Sequence, residues 1–405
     1  MYRSFQSVFF VSVILFFCTC KTPYTPTPIS TVTNYLVVEG LINITDSTYI
    51  NLSRTVNLSA KTTAKPELKA TVTVESNAGG SYPLKELGNG VYAAGPLNLS
   101  AANQYHLRIK TSNNSSYVSD FVPAKVSPPI DTITWAAKSN ALEIYANTHD
   151  PKNATRYYRW DFTEGWEFHS FYNSQIISNG LQVSFRTPAQ QIWDCFGSDA
   201  STNISLGTSV QFSNDVISQQ LINTIDATAE KIGIKYSILV KQYALTKDAY
   251  DYWALLKKNT EQLGSIFDSQ PSTSLGNVHG VTNPAEVVIG YISAGTVTTS
   301  RIFITKKQLP NWVTTPAYGL SVCSPPDSLN CCPPPIAPPG WVPPSTDHYV
   351  NYKSATYFGI NPPLIPIEEI GSAGTLTNTT PISAFIPVCV DCTLRGKSTP
   401  PPYWK

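Results

Sequence analysis

The segment from residue 232 to 272 constrains the fold most, because strand, cap and helix signals follow one another there without interruption. Its first ten residues alternate β-branched or aromatic side chains with mostly polar ones, and this period of two predicts a strand with one buried face. Thr246 then stands at an N-cap position, and Asp248 lies in the first turn, where the helix dipole favours an anion. We therefore predict a helix over residues 247–263 that packs on the sheet entered by its own strand.

The N-terminal residues have the pattern of a processing segment. Arg3 supplies a positive charge, and an apolar run over 8–17 is too short to cross a bilayer as a helix. Cys20 follows, and a Thr/Pro-rich stretch comes after it. This order is typical of a bacterial lipoprotein, so we predict a signal peptide over 1–19, a lipid on Cys20 and a tether over 20–34. The alternative is a secreted protein cleaved nearby, with Cys20 an ordinary thiol.

Charge excludes two classes of partner. The chain has 28 basic and 27 acidic residues, and it has no basic tract. A balanced chain of this kind argues against nucleic acid and against electrostatic docking to a membrane. No later segment reaches the roughly 18 apolar residues that a spanning helix needs. We therefore expect membrane attachment through lipid alone.

Residues 35–125 predict an immunoglobulin-like β-sandwich. The segment contains about seven short runs of strand pattern, separated by turn signals such as Gly88-Asn89-Gly90. In one run Tyr105 and Leu107 alternate with His106, which predicts that the histidine faces solvent. Pro128 and Pro129 then form a rigid connector into a second β-rich, α+β domain over 126–309, which contains the helix predicted above.

An aromatic-rich strand within this second domain offers a candidate binding site. Four aromatic side chains between 157 and 169 share one parity and would lie on one face of the strand. They either form a ligand platform or belong to the core, because large aromatic side chains mostly bury area. A third interpretation is a hydrolase that uses Asp161, Glu164 or Glu167. The four aromatic residues are Trp160, Phe162, Trp166 and Phe168.

The C-terminal segment over 310–405 differs in composition from the rest. It contains 19 of the 32 prolines, which prevent regular helices and central strands. Six cysteines follow Cys20, an even number that favours disulfides in an exported chain. We expect these bridges to hold the Pro-rich segment against the body, although Cys389 and Cys392 also have the spacing of half a metal site or of a redox pair. The disulfide candidates are Cys195, Cys323, Cys331, Cys332, Cys389 and Cys392.

Known catalytic signatures are absent from the sequence. It has no nucleophile elbow, no zinc-protease motif, no phosphate loop and no dinucleotide fingerprint. Its five histidines are scattered. We therefore predict no catalytic residue, no metal site and no cofactor.

Several stretches, taken in order, resemble a Bacteroidetes family of exported lipoproteins that is described as a domain of unknown function. Members of that family are often encoded beside TonB-dependent outer-membrane receptors. The resemblance extends over nearly the whole chain after the tether, and a Pro-rich insertion around 325–344 departs from it. The stretches that carry it are 36–40, 128–131, 236–243, 264–268, 270–272, 276–277, 290–291, 301–304, 389–396 and 403–404.

The resemblance implies a function in the bacterial envelope. We expect a non-enzymatic, lipid-anchored outer-membrane protein, on the periplasmic or the cell-surface face, that serves a TonB-dependent receptor as an accessory or ligand-binding partner in uptake. The alternative is a structural or assembly component of the envelope, or of a surface adhesion or secretion system.

Overall fold

The computed structural model confirms a mainly β chain. The predicted signal peptide, Cys20, the tether, and the candidates Cys331 and Cys332 lie outside the residues that it describes. Those residues are 34–56, 64–178, 183–261, 276–316, 322–323, 327–330, 350–351, 356–357, 365–369 and 381–404.

The first part of the chain is built from short, mostly antiparallel strands. Their inward positions carry alternating Val, Ile, Leu and Tyr side chains, as a half-buried strand requires. The strands are β1 Leu36–Asn43, β2 Thr48–Arg54, β3 Lys65–Pro66, β4 Thr71–Ser76, β5 Ser81–Gly88, β6 Val91–Ala94, β7 Gln104–Lys110, β8 Ser116–Ser119 and β9 Val122–Lys125.

Later strands complete this first sheet. They are β19 Val278–Gly280, β20 Val288–Ile289 and β21 Ser293–Gly295. The strands run in the order β7, β4, β5, β6, β2, β1, β21, β9, and β9 also pairs with β7, so the sheet closes on itself. Strand β21 lies parallel to both β1 and β9. Residues 278–295, which fall inside the predicted 126–309 segment, therefore pair with the N-terminal strands.

Gly290 allows the chain to pass close to β1. Its φ of +135° suits glycine, and a Cβ there would lie 1.9 Å from the carbonyl oxygen of Val38. Residues of both segments share one core, in which Leu36, Val38 and Ile292 are 0% exposed. The N-terminal strands thus depend on residues that follow them by more than 200 positions.

His106 is buried, so the expectation that it faces solvent is wrong. Only 8% of it is exposed, and its Nε2 lies 2.7 Å from Oε2 of Glu75. The ring stacks on Phe121 with centroids 4.1 Å apart. Phe121 lies between β8 and β9, and its ring packs over a face of the sheet that alternation alone predicts to be exposed to solvent.

The middle of the chain forms two larger sheets, besides a two-stranded sheet in which β13 pairs with β14. One has the order β10, β11, β17, and the other has the order β15, β12, β18, β22, with β16 also paired to β12. The strands are β10 Ile130–Ala137, β11 Ala141–His149, β12 Tyr157–His169, β13 Ile176–Ser178, β14 Val183–Phe185, β15 Asp194–Ala200, β16 Ser205–Thr208, β17 Val216–Asp226, β18 Lys235–Leu245 and β22 Val297–Thr305.

These two sheets bury a common core. The alternation predicted after residue 232 is confirmed, because Tyr236, Ile238 and Val240 are each 0% exposed. Ile144 of β11 packs in the same cluster. The amide of Gln242 crosses this core: its Oε1 accepts a hydrogen bond from Nε1 of Trp160 at 2.9 Å, and its Nε2 donates to the Pro128 carbonyl at 2.9 Å.

Helix α1, Lys247–Glu261, begins at the predicted residue. The Thr246 hydroxyl accepts a hydrogen bond from the Ala249 amide at 3.2 Å, which is the N-cap contact. The last two positions of the predicted helix lie outside the described residues. Among the described residues, no helix combines the length and the apolar character that crossing a membrane requires.

One disulfide links the C-terminal segment to the body, and a second lies within that segment. Cys195 of β15 bonds Cys392, and Cys323 bonds Cys389, so four of the six candidate cysteines are paired. The described strands here are β23 Asp327–Asn330, β24 Val350–Asn351, β25 Thr356–Tyr357, β26 Ile365–Glu369 and β27 Pro381–Phe385, and a short helix, α2, covers Pro387–Val390.

The end of the chain folds back over β12 and β15. Lys397 exchanges backbone hydrogen bonds of 2.8 and 3.0 Å with Phe196. The Arg301 guanidinium lies 3.6 Å from the centroid of the Tyr403 ring. A Cβ on Gly165 would lie 2.6 Å from the Tyr403 hydroxyl, so this glycine leaves room for the C-terminal segment.

Candidate functional site

A cleft of about 520 Å³ opens at one end of the second core, and we call it the Glu164 cleft. Strand β12 supplies Glu164 at its base, β17 supplies Asn223, and the turn before β18 supplies Lys231. Residues 199–205, from the end of β15 to the start of β16, form one wall. Helix α1 holds this wall in position, because the Ile204 amide donates a hydrogen bond of 2.6 Å to Oε1 of Glu261.

Glu164 is a nearly buried carboxylate, 5% exposed, and three different groups satisfy it. Its Oε2 accepts hydrogen bonds from the Tyr236 hydroxyl at 2.6 Å and from Nδ2 of Asn223 at 3.2 Å. Its Oε1 accepts a short hydrogen bond from Nζ of Lys231. A buried charge that is both paired and hydrogen-bonded in this way avoids most of the penalty of leaving water.

Lys231 connects this buried carboxylate to the surface. Its side chain is 31% exposed, and its Nζ also lies 3.4 Å from Oδ2 of Asp199, a carboxylate that is 59% exposed. The same ammonium lies 4.7 Å from the Trp166 ring centroid, within the range of a cation–π contact. The cleft therefore presents a positive charge between a buried acid and an exposed one.

The ionisation of the cleft follows from burial and from these contacts. Burial raises the pKa of Tyr236, and the neighbouring Glu164 charge raises it further, so the phenol stays protonated and acts as a donor. The pKa of Asp199 is lowered, chiefly by the hydrogen bond from the Ala200 amide and then by Lys231. At neutral pH the cleft thus contains a neutral phenol and ionised Asp199.

The four predicted platform residues do not form one exposed surface. Trp160 and Phe168 are 1% and 2% exposed, which agrees with the core interpretation of these two. Phe162 and Trp166 are half-buried, and only Phe162 and an edge of Trp160 line the Glu164 cleft. Whether these aromatic side chains touch a ligand stays a prediction.

The three carboxylates of the hydrolase hypothesis do not lie together. Glu164 shares the parity of the aromatic residues and points into the core, whereas Asp161 and Glu167 have the opposite parity on the same strand. Asp161 is paired with Arg159 at 3.5 Å under helix α1. A carboxylate pair for glycoside hydrolysis needs both groups on one cleft, and these residues do not provide it.

A second cluster lies at the far end of β12. One donor atom from each of Glu167, His169 and Asp194 falls within 4.8 Å of the other two. Burial lowers the pKa of His169, which nearby Asp194 and Glu167 partly oppose, and burial raises the pKa of Asp194. His169 is the single histidine of this cluster. Sequence patterns alone did not distinguish it from the other four histidines, which are scattered along the chain.

Sequence reasoning missed Asn223, Lys231, Tyr236 and Asp199 as members of one site. They come from separate segments of the chain, and no local motif joins them. The sequence did contain one signal: Glu164 has the same parity as the aromatic residues of β12 and therefore lies on their face of the strand. A carboxylate on a face that packs into the core needs hydrogen-bond or charge partners, and this requirement singles out Glu164 as a candidate site residue.

The comparison with solved structures gives no argument about function. A crystal structure of chicken CNTN1 FN1-FN3 domains is similar over 52% of this chain, with 11% identity and a TM-score of 0.20. This chain spans 63% of that one.

No curated protein matches the chain. A family model matches residues 21–301, which include all the strands of the closed sheet and every residue of the Glu164 cleft. The description of that family is a domain of unknown function. The chain belongs to this family, DUF4249.

Proposed function

We propose that this chain is a non-enzymatic, lipid-anchored protein of the bacterial outer membrane that binds a ligand or partner in uptake, beside a TonB-dependent receptor. The apolar run over 8–17, followed at once by Cys20, supports the lipid anchor. The sequence resemblance to exported lipoproteins encoded beside such receptors supports the partner.

The Glu164 cleft is the observation that carries the binding role. It is concave, and fixed polar groups lie at its base, as in most ligand sites. The oxygens of Glu164 already accept three hydrogen bonds, so this carboxylate holds its neighbours in place. Lys231 and Asp199 remain partly exposed and offer a cation and an anion to a polar ligand.

The same proposal includes a finer division of the fold. We propose an immunoglobulin-like unit over 35–125, which strands β19, β20 and β21 complete, and a second β-rich unit over the remainder of 126–309. The consecutive antiparallel pairings of β1 with β2 and of β4 with β5 support the first unit. The core shared by β11, β12 and β18 supports the second.

Metabolic labelling with an alkyne fatty acid tests the anchor. We expect the wild-type chain and the matched control Cys18→Ala to carry label, and the Cys20→Ala variant to carry none. Equal labelling of all three chains would contradict lipidation at Cys20.

Crosslinked pull-down from native membranes in mild detergent tests the partner. We expect a TonB-dependent receptor to co-purify with the wild type and with Lys138→Met, a control at an exposed lysine that does not line the cleft. The Lys231→Met variant should capture several-fold less. Recovery of export or adhesion components instead, with unchanged uptake in a deletion strain, would favour the envelope-assembly alternative.

A further inference from the structure

Glu167, His169 and Asp194 lie together because of the register of two strands. In the β12–β15 pair His169 stands directly opposite Asp194, and Glu167 precedes His169 by two residues. Residues two apart on a strand share a face, and directly opposed residues do as well. All three side chains therefore project from one face, opposite to the face on which Phe168 and Cys195 are buried.

Two of the three donors, His169 and Asp194, are positioned by their surroundings. The His169 ring stacks on Trp193 with centroids 3.6 Å apart. The Gln191 side chain accepts hydrogen bonds from the Trp193 and Asp194 amides at 3.1 and 2.9 Å, and it donates to the Asp194 carbonyl at 2.7 Å. The next residue, Cys195, is held by its disulfide. A metal site benefits from such support, because it fixes the ligands before the ion arrives.

One carboxylate oxygen of this cluster lacks a hydrogen-bond partner among the described residues. Oδ1 of Asp194 is buried from water and accepts no hydrogen bond within the described part of the chain. It lies 3.7 Å from Nε2 of His169, which is too far for a hydrogen bond. A buried, unsatisfied carboxylate oxygen costs free energy, and a cation between these two atoms would satisfy it.

We propose that Glu167, His169 and Asp194 form a binding site for a divalent transition-metal ion such as Zn²⁺. One imidazole with two carboxylates suits zinc and its neighbours, whereas calcium and magnesium prefer oxygen ligands alone. Ligand atoms around a tetrahedral zinc lie about 3.3 Å apart. The donor atoms here lie within 4.8 Å of one another, so small side-chain rotations bring the three donors to the ion, and a water molecule completes the coordination.

Calorimetric titration of Zn²⁺ into the full chain, with both disulfides intact and no histidine tag, tests the proposal. We expect one ion per chain. The Asp194→Asn and His169→Ala variants should lose more than about tenfold in affinity. Cobalt in place of zinc should give the visible absorption of a four- or five-coordinate ion in the wild type, and Asp194→Asn should abolish it.

The control is a second histidine–aspartate pair. Nδ1 of His149 lies 2.8 Å from Oδ2 of Asp131 on the paired strands β10 and β11, but no third donor adjoins it among the described residues. His149→Ala should bind zinc like the wild type. Near-identical affinity of Asp194→Asn and the wild type, or an equal loss in His149→Ala, would overturn the proposal. Thermal unfolding in the presence of a chelator verifies that each variant folds.

Discussion

The Tyr236 hydroxyl donates a hydrogen bond of 2.6 Å to the Glu164 carboxylate across two adjacent strands. Tyr236 is 0% exposed and Glu164 is 5% exposed, so the bond lies almost wholly inside the protein. The pair joins the core of the second part of the chain to the base of the cleft. Substitution of Tyr236 or Glu164 should therefore alter both the stability of the fold and the binding proposed for the cleft.

Loss of the cation beside Glu164 should destabilise the fold. Lys231→Met leaves a nearly buried carboxylate with neutral donors only, and we expect the free energy of unfolding to fall by about 2 kcal/mol. Tyr236→Phe removes one donor and should cost about 1 kcal/mol. Denaturant unfolding measures both. Lys138→Met, whose side chain is 54% exposed, should change the free energy little, and an equal loss there would contradict the assignment.

Gln242 should be a strong determinant of stability. Gln242 is 0% exposed, so Gln242→Leu leaves Nε1 of Trp160 without its acceptor inside the core. It also removes one hydrogen bond to the Pro128 carbonyl, which still accepts one from the Thr298 hydroxyl. We expect a loss of about 2 kcal/mol in the free energy of unfolding. Gln104→Leu, at an exposed position of β7, is the matched control and should stay within about 0.5 kcal/mol of the wild type.

The disulfide between Cys195 and Cys392 should hold the end of the chain in place. Replacement of both residues by serine should lower the free energy of unfolding by about 3 kcal/mol and expose 392–404 to proteases. Limited proteolysis followed by mass spectrometry detects the new cleavage. Replacement of Cys323 and Cys389 should leave 396–404 protected, because the Cys195–Cys392 bond remains and keeps Lys397 paired with Phe196. Free thiols at Cys195 and Cys392 in the native protein would refute the pairing.

Two histidines should titrate on opposite sides of their ordinary pKa near 6.5. The hydrogen bond to Asp131 raises the pKa of His149, whereas burial lowers the pKa of His169. The stabilisation from His149 is thus fully present below pH 6.5 and is lost as the pH rises through its folded pKa. His169 acts in the opposite sense, because stability falls as the pH drops below 6.5 towards its depressed value.

NMR titration of the imidazole resonances in a metal-free sample measures both values. Asp131→Asn should return the pKa of His149 towards 6.5 and leave that of His169 unchanged. A common pKa for the two residues in the wild type would contradict this difference.

Local signals predicted the local structure well. The start of helix α1 follows from Thr246 and Asp248, which act within one turn of the chain. The burial of Tyr236, Ile238 and Val240 follows from alternation in a single strand. Such features depend on neighbours a few residues away, so one sequence contains the information they need.

The rest depends on contacts between distant segments. Alternation placed His106 in solvent, but Phe121 covers it. No pattern near residue 290 shows that β20 and β21 join a sheet begun at residue 36. The same holds for the Glu164 cleft, since Asn223 reaches it from strand β17 and Lys231 from the turn before β18. Cross-strand register decides these contacts, and it is fixed only when the whole sheet assembles.

The closure of the first sheet has a consequence for the order of folding. Leu41 pairs with Ser293, so the N-terminal strands are synthesised long before the strand that joins β1 to β9. Until then the outer side of β1 is an unpaired edge, which invites association with other chains. High contact order of this kind slows folding and lengthens that exposure. We therefore expect the unfinished chain to associate more readily than the folded protein until residues 288–295 pair with β1.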